Sequence, residues 1–129
     1  VIEETSSTTS PDYVNLITVS SGEHSVSGTL ATVGTRVEAR IVAVDGHGID
    51  LAPAANMVVV RNDDRPGCIG VVGTVLGAAD VSISAMAVAP NKGQGTALMV
   101  LAVENPIAEE TLAALRGGEG ITTVHQISL

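Results

Sequence analysis

The order of apolar segments in the second half of the chain constrains the fold most. From residue 56, the apolar run MVVV is followed by a glycine-spaced stretch, two further apolar runs, an amphipathic segment and a final alternating run. The short runs have the length and β-branched content of strands, whereas the glycine-spaced and amphipathic segments have helical periodicity. Residues 56–129 are therefore predicted to form strand, helix, strand, strand, helix and strand. The second strand is predicted over residues 81–89, the turn after it in PNKGQG, and the end of the second helix at the glycines of GGEG.

That order predicts an α+β, ferredoxin-like βαββαβ fold, in which two helices cover one face of a four-stranded antiparallel sheet. The first helix is predicted over residues 66–79, with Pro66 at its first position and Asp64 as its cap. The second is predicted to begin at Pro106, with Asn105 as its cap and acidic residues in its first turn.

Two sets of residues distinguish the faces of the first predicted helix. Apolar residues at helical spacing predict the core-facing side: Ile69, Val72, Val75 and Leu76. A second stripe consists of glycines three or four residues apart: Gly67, Gly70, Gly73 and Gly77. Because each glycine destabilises a helix by about 0.5–1 kcal/mol relative to alanine, the stripe predicts that another backbone approaches closely.

Residues 1–53 predict a small antiparallel β unit. The chain starts within a strand, and further strands are predicted over residues 13–21, 25–32, 36–46 and 49–53. In the third of these, Val37, Ala39, Ile41 and Ala43 alternate with polar residues. The tetrapeptide DGHG predicts a hairpin turn, and Pro53 lies near the expected boundary with the second domain.

Composition excludes several classes of function. The net charge of −8 disfavours nucleic acid and anionic membranes as partners, since both attract clustered cations. No apolar run reaches the roughly 18 residues that span a bilayer. The single cysteine rules out an internal disulfide and is typical of a reducing environment, so a cytoplasmic location is expected.

Most candidate chemical groups are better explained by packing. The glycines do not follow the G-x-G-x-x-G order of a dinucleotide site, so no cofactor site is predicted in this segment. His24, His47 and His125 are isolated in sequence, and no metal site is predicted. Cys68 has apolar neighbours and is interpreted as a small buried residue.

The polar cluster that precedes the first helix is different. Asn62, Asp63 and Asp64 come where a strand leads into a helix N-terminus, whose main-chain N–H groups can bind a carboxylate. Asp64 or the Asn62 amide could meet an ammonium group beside it. A zwitterionic amino acid is therefore a matched ligand, while plain capping and turn formation is the alternative explanation.

The stretch NMVVVRNDDRPGCIGVVGTVLGAADVSISAMAV resembles an ACT domain, specifically the one that closes D-3-phosphoglycerate dehydrogenase. The D-R-P-G turn, the glycine-spaced helix and the V-x-I strand carry this resemblance, which extends to residue 129. Upstream, VEARIVAVDGHGIDLAPAANMVVV resembles the end of the intervening, allosteric substrate-binding domain of the type II enzyme. Residues 1–53 are accordingly expected to end that domain, and residues 54–129 to form the ACT regulatory domain.

The resemblance implies a non-catalytic regulatory region of an NAD-dependent oxidoreductase of serine biosynthesis. The NAD-binding and substrate domains of such an enzyme are expected before Val1. The ACT domains of this family pair side by side as homodimers, extending their sheets, and bind L-serine where the partners meet. Neither a metal nor a cofactor is expected in this segment.

The resemblance also implies the site residues. Asn62 and Asp64 match ligand positions, and Pro66 and Gly67 match the turn between them and the helix. Ser82 stands where the family usually has asparagine. Serine is shorter, and losing one hydrogen bond of about 0.5–1.5 kcal/mol would weaken L-serine binding up to tenfold or change the ligand.

A second, anionic site is implied for the intervening domain, which the family associates with a phosphate-bearing ligand. Arg40 suits that role, although it also reads as an ordinary outward strand residue. Further cations of related chains are replaced by Ala52 and Leu101, so this anion site is expected to be weak or absent.

Two other functions fit the same residues. A purely structural ACT module would oligomerise without a small ligand. The corresponding region of an iron–sulfur L-serine dehydratase pairs a similar domain with ACT, and its cluster cysteines would lie outside this segment.

Overall fold

A computed structural model of the chain describes residues 2–7, 16–22, 24–91 and 95–128. The chain divides into two compact units, Val1–Pro53 and Ala54–Leu129. The beginning of the strand predicted from residue 13 and the centre of the turn predicted in PNKGQG lie outside the described residues. No helix in the described ranges is long and apolar enough to cross a membrane.

The first unit contains a five-stranded antiparallel sheet in which each strand pairs with the next one along the chain. Its strands are β1 (Ile2–Ser7), β2 (Leu16–Ser21), β3 (His24–Val33), β4 (Arg36–Val44) and β5 (His47–Leu51). The predicted DGHG hairpin is confirmed: Asp45 and Gly46 have positive φ angles of 50° and 80°. Two such residues form the hairpin turn that matches the twist of paired strands.

This sheet has one apolar face and one polar face. Val19 pairs with Val26 on the apolar face, and neighbouring Thr18 and Ser27 join their hydroxyl groups at 2.8 Å on the polar face. The alternation predicted along β4 is wrong at Ala43. A β-bulge between Ile41 and Ala43 shifts the register, so that Ala43 pairs with Ser27.

The second unit has the predicted α+β, ferredoxin-like architecture. Its elements are β6 (Asn56–Asp63), α1 (Cys68–Ala78), β7 (Ile83–Asn91), β8 (Thr96–Val103), α2 (Glu109–Arg116) and β9 (Ile121–Ser128). The strand order is β7-β8-β6-β9, and all three pairings are antiparallel. The interior strands β6 and β8 are the two near-continuous apolar runs of the sequence, which fits their position.

One apolar cluster joins the two helices to the sheet. Its fully buried members include Val60 of β6, Leu76 of α1, Leu101 of β8 and Leu115 of α2. As predicted, α1 also turns Val72 inward. The prediction for Ile69 is wrong, since this side chain is 53% exposed.

The first helix starts later than predicted. It begins at Cys68, after Gly67 in the left-handed conformation (φ 99°), and no side chain caps it. Pro66 lies in the preceding turn, and the main-chain N–H of Asp64 donates to the Gly95 carbonyl oxygen at 2.9 Å. Asp64 is therefore not the cap, because its backbone is held three residues before the cap position, Gly67.

The second helix is also shorter than predicted, beginning at Glu109 after Ala108. The Gln126 side chain explains the difference because it pairs with both main-chain groups of Ile107. The Ile107 N–H donates to Gln126 Oε1 at 2.5 Å, and Gln126 Nε2 donates to the Ile107 carbonyl oxygen at 3.2 Å. This pairing resembles a strand ladder, so Asn105 and Pro106 precede the helix instead of starting it.

The strand predicted at residues 81–89 is shifted to Ile83–Asn91. Pro90 thus lies inside β7 instead of starting a turn. Proline is tolerated there because β7 is an edge strand of the four-stranded sheet, with one side free of ladder hydrogen bonds.

Truncating the core should destabilise the second unit strongly. Leu101→Ala removes a fully buried side chain from the apolar cluster, and we expect the free energy of unfolding to fall by about 2–5 kcal/mol. Ile127→Ala, at a position 45% exposed on β9, is the matched control and should cost less than about 1 kcal/mol. Urea unfolding followed by circular dichroism measures both, and equal losses would contradict this description of the core.

Candidate functional site

Four of the five residues predicted to bind an effector lie together between β6 and α1. Asn62 is the penultimate residue of β6, while Asp64, Pro66 and Gly67 follow in the connection to Cys68. The sequence identified this region correctly as a cluster of polar groups beside a helix N-terminus.

The Asn62 side chain is polar but buried, and only one of its two polar atoms has a hydrogen-bond partner among the described residues. The residue is only 3% exposed, and its Nδ2 donates to the main-chain oxygen of Asp63 at 2.8 Å. Its Oδ1 is buried and has no hydrogen-bond partner among the described residues. Leaving a buried acceptor unpaired costs about 1–3 kcal/mol, and such atoms are rare enough in native structures to indicate a function.

The start of α1 adds donors to this acceptor. Its first main-chain hydrogen bond runs from the Val71 N–H to the Gly67 carbonyl oxygen at 3.0 Å. Among the described residues, no side chain caps the helix and no carbonyl group accepts from Cys68, Ile69 or Gly70. Three N–H groups at the positive end of the helix dipole can therefore bind an anion.

Charged side chains surround this opening with mixed signs. The Arg65 guanidinium lies 3.6 Å from Asp63 Oδ2 through Nε and 3.5 Å from Glu119 Oε1 through Nη1. Asp64 is exposed beside them. Because Arg65 is shared by two carboxylates, the N–H groups of α1 are the better anion donors, while Asp64 and the Asn62 oxygen favour a cation.

Ser82, the fifth predicted site residue, lies elsewhere in the chain. It follows the C-terminal end of α1, whose 11 residues span roughly 16 Å. There it lines a cavity of about 310 Å³ with Asp80, Asn105 and Glu110 among its neighbours. A single chain therefore does not bring Ser82 to Asn62.

The glycine stripe of α1 faces no part of the described chain. A Cβ atom added to Gly70, Gly73 or Gly77 would meet no atom within 4 Å, so the predicted close backbone approach does not occur within the described residues. The whole helix, CIGVVGTVLGA, carries no charged residue. The helix therefore presents an uncharged, exposed face to its surroundings in the described structure.

Arg40, the candidate for an anion site, is paired within the first unit. Its Nε lies 2.7 Å from Asp50 Oδ1, and its side chain is 27% exposed. A bound anion would have to compete with this carboxylate. Leu101, predicted as a neighbouring position, is instead fully buried in the core of the second unit. The anion site stays a prediction, and Asp50 would compete with an anion for Arg40.

His24 and His47, which are isolated in sequence, both contact Asp45 in the folded chain. The turn between β4 and β5 brings both to Asp45, whose Oδ2 lies 3.2 Å from His24 Nδ1 and whose carbonyl oxygen lies 3.2 Å from His47 Nδ1. The His24 contact leaves no local pattern in the sequence, because the pairing of β3 with β4 creates it across 21 residues. No group of three or more metal-ligating side chains occurs among the described residues.

The sequence did not indicate that a second chain segment adjoins the candidate site. The turn between α2 and β9 reaches the start of α1, where the Asp63 N–H donates to the Gly120 carbonyl oxygen at 2.8 Å. The signal in the sequence is GGEG, which by itself predicts only the end of a helix.

Removing the buried amide should not harm the folded chain. We expect Asn62→Leu, which fills a similar volume, to leave the free energy of unfolding unchanged or to raise it by up to about 1 kcal/mol, because the unpaired oxygen disappears. Asn56→Leu is the control, since the Asn56 amide has a partner in the Glu104 carbonyl oxygen. Urea midpoints measure both variants, and a loss above 2 kcal/mol for Asn62→Leu would mean that the oxygen is satisfied.

Comparison with known proteins gives one consistent group of relatives, although no family model matches the chain. A protein of Synechocystis named D-3-phosphoglycerate dehydrogenase is 33% identical over 108 residues, covering 84% of this chain and 19% of that protein. Proteins of the same name from Bacillus subtilis and Methanocaldococcus jannaschii are 31% and 28% identical, covering 91% and 96% of this chain. The latter two alignments cover 22% and 24% of the relatives.

Among solved structures, one described as GqqA, a novel type of quorum quenching acylase, aligns with a TM-score of 0.41 and 19% identity. It covers 78% of this chain and 57% of that chain, and the likeness is too weak to support a conclusion. Most of this chain is thus similar to roughly a fifth of proteins named D-3-phosphoglycerate dehydrogenase.

Proposed function

We propose that this chain is the regulatory, amino-acid-binding and dimerisation region of a D-3-phosphoglycerate dehydrogenase of serine biosynthesis. Relatives of that name support the proposal, as does the resemblance of residues 56–129 to an ACT domain. The chain spans about a fifth of those relatives, so NAD binding and catalysis are assigned to the remainder of the parent enzyme.

The observation that carries the proposal is the buried Asn62 oxygen, which has no partner among the described residues, beside the uncapped start of α1. A free amino acid presents an ammonium and a carboxylate a few ångströms apart. The ammonium would donate to Asn62 Oδ1 and lie beside Asp64, while the carboxylate would accept from the N–H groups of Cys68 to Gly70. Both ends of the ligand then find partners that the described part of the chain leaves unused.

A second copy of the chain would complete the site. The family pattern requires Ser82 near the ligand, yet Ser82 lies at the far end of α1 from Asn62 within one chain. Side-by-side pairing of two β7 edges would place the Ser82 of one protomer near the α1 start of its partner. The exposed apolar residues of β7, Ile83, Met86 and Val88, support this edge as the interface.

Regulation follows from this shared site. A ligand held by two protomers stabilises the arrangement in which its two halves meet, and it shifts the equilibrium by its difference in affinity between arrangements. In the parent enzyme this shift would restrain the catalytic domains, which is feedback by L-serine. The shorter Ser82 predicts weaker binding of L-serine than an asparagine would give.

A purely structural module is the second candidate. The serine at position 82 and the uncharged, exposed face of α1 favour it, because both fit association without a ligand. A region of L-serine dehydratase is less well supported, since the relatives described above bear the name of the dehydrogenase.

Calorimetry with L-serine and glycine tests the binding proposal. We expect saturable heat with L-serine, and we expect Asp64→Ala to abolish it, because the ammonium loses its charged neighbour, while leaving the dimer intact. Glu109→Ala removes an acidic residue of α2 that pairs with Arg116 and should bind normally. No heat and no thermal shift at millimolar L-serine would favour the structural module, and binding that survives in Asp64→Ala would place the site elsewhere.

Sedimentation velocity tests the interface. Val88→Lys places a charge on the β7 edge, at a position 42% exposed, and should convert the dimer to a monomer because the cation cannot be paired in an apolar interface. Ile127→Lys makes the same change on β9, the opposite edge, and should leave the dimer unchanged. Dissociation by the β9 variant alone would reverse the assignment of the edge.

A further inference from the structure

The turn of residues 117–120, between α2 and β9, packs directly against the first turn of α1. Besides the hydrogen bond from Asp63 to Gly120, two of its glycines lack room for a side chain. A Cβ at Gly120 would lie 2.7 Å from Cys68 Sγ, and one at Gly118 would lie 2.6 Å from Val71 Cγ1. The positive φ of Gly120, 83°, further favours glycine.

Arg65 covers this contact from the outside. Its Nη2 and Nε lie 3.1 and 3.3 Å from the position that a Gly120 Cβ would occupy, so the guanidinium lies over the Gly120 backbone. From there it pairs with Glu119 of the turn and Asp63 of β6. One cation therefore bridges the chain segment before α1 and the turn after α2.

Cys68, the first residue of α1, lies within this contact. It is 3% exposed, and its Sγ and the Arg65 guanidinium both adjoin the same point on Gly120. A reagent can reach the thiol only after the turn or the start of the helix has moved. As the chain has one cysteine, thiol reactivity reports only those openings that expose Cys68.

We propose that Arg65 is a positioning residue that holds the 117–120 turn on the first turn of α1 by pairing with Glu119 across Gly120. The ion pair thereby limits how often the N-terminal end of α1 opens. Breaking it should speed the opening about two- to fivefold, the range that corresponds to one exposed pair. The proposal concerns the chain without ligand and is independent of amino-acid binding.

The test measures the rate at which an excess of an aromatic disulfide reagent labels Cys68 in the full chain. Glu119→Gln should label about two- to fivefold faster than the parent chain, and Arg65→Gln should be at least as fast. The double variant should label at the rate of Arg65→Gln, because Arg65→Gln has already removed the ion pair that Glu119→Gln would break. Sodium chloride at about 0.5 M should accelerate the parent chain but not Glu119→Gln.

A direct effect of charge on the Cys68 thiol would change the labelling rates of the two variants in opposite directions. Loss of a negative charge favours the reactive thiolate and loss of a positive charge disfavours it, so electrostatics alone would accelerate Glu119→Gln and slow Arg65→Gln. Acceleration of both variants is expected only if the contact opens. Glu110→Gln, an equivalent charge change at an exposed residue of α2 with no ion pair to Arg65, should label at the parental rate.

Three results would overturn the proposal. The first is equal labelling rates in the parent chain and both single variants. The second is opposite changes in the two variants. The third is a labelling rate that depends on urea as steeply as global unfolding does, since a local opening exposes little surface and depends weakly on denaturant.

Discussion

The pairing of β6 on both sides is the constraint on which the candidate site depends. Hydrogen bonds to β8 and β9 run along this strand to its end, where Asn62 pairs with Ala97 and with Ile121. Asp63 and Asp64 then donate their N–H groups to Gly120 and Gly95. The chain therefore leaves the sheet at a defined point, which determines where α1 begins and what lies beneath it.

The start of α1 lacks the stabilisation that a side-chain cap would give. A serine or aspartate cap would contribute about 1 kcal/mol, but the cap position is a left-handed glycine without a side chain. Asn62 adds a buried oxygen that has no partner in residues 16–22, 24–91 and 95–128. Two unfavourable features within a few residues are expected where a protein binds a ligand, because the unused groups are then available to it.

The uncharged helix α1 has two different roles on its two faces. Val72 and Leu76 are fully buried against the sheet, as helical spacing requires. Gly70, Gly73 and Gly77 lie on the exposed side, where nothing in the described chain explains their cost in helix stability. In the proposed dimer, a second protomer would cover these glycines and supply Ser82 to the site.

Local patterns in the sequence determined the fold class, the order of the elements and the cluster at residues 62–67, because strand and helix periodicity depend on near neighbours. Helix boundaries depended on tertiary contacts: Gln126 of β9 keeps Ile107 out of α2, and the bonds of Asp63 and Asp64 delay α1 to Cys68. Tertiary structure alone also decided that the Asn62 oxygen is buried with no partner in the part of the chain that the structure describes, and that Arg65 meets Glu119 over Gly120. Those features join residues far apart in sequence, whose pairing follows from the sheet register and leaves no local pattern.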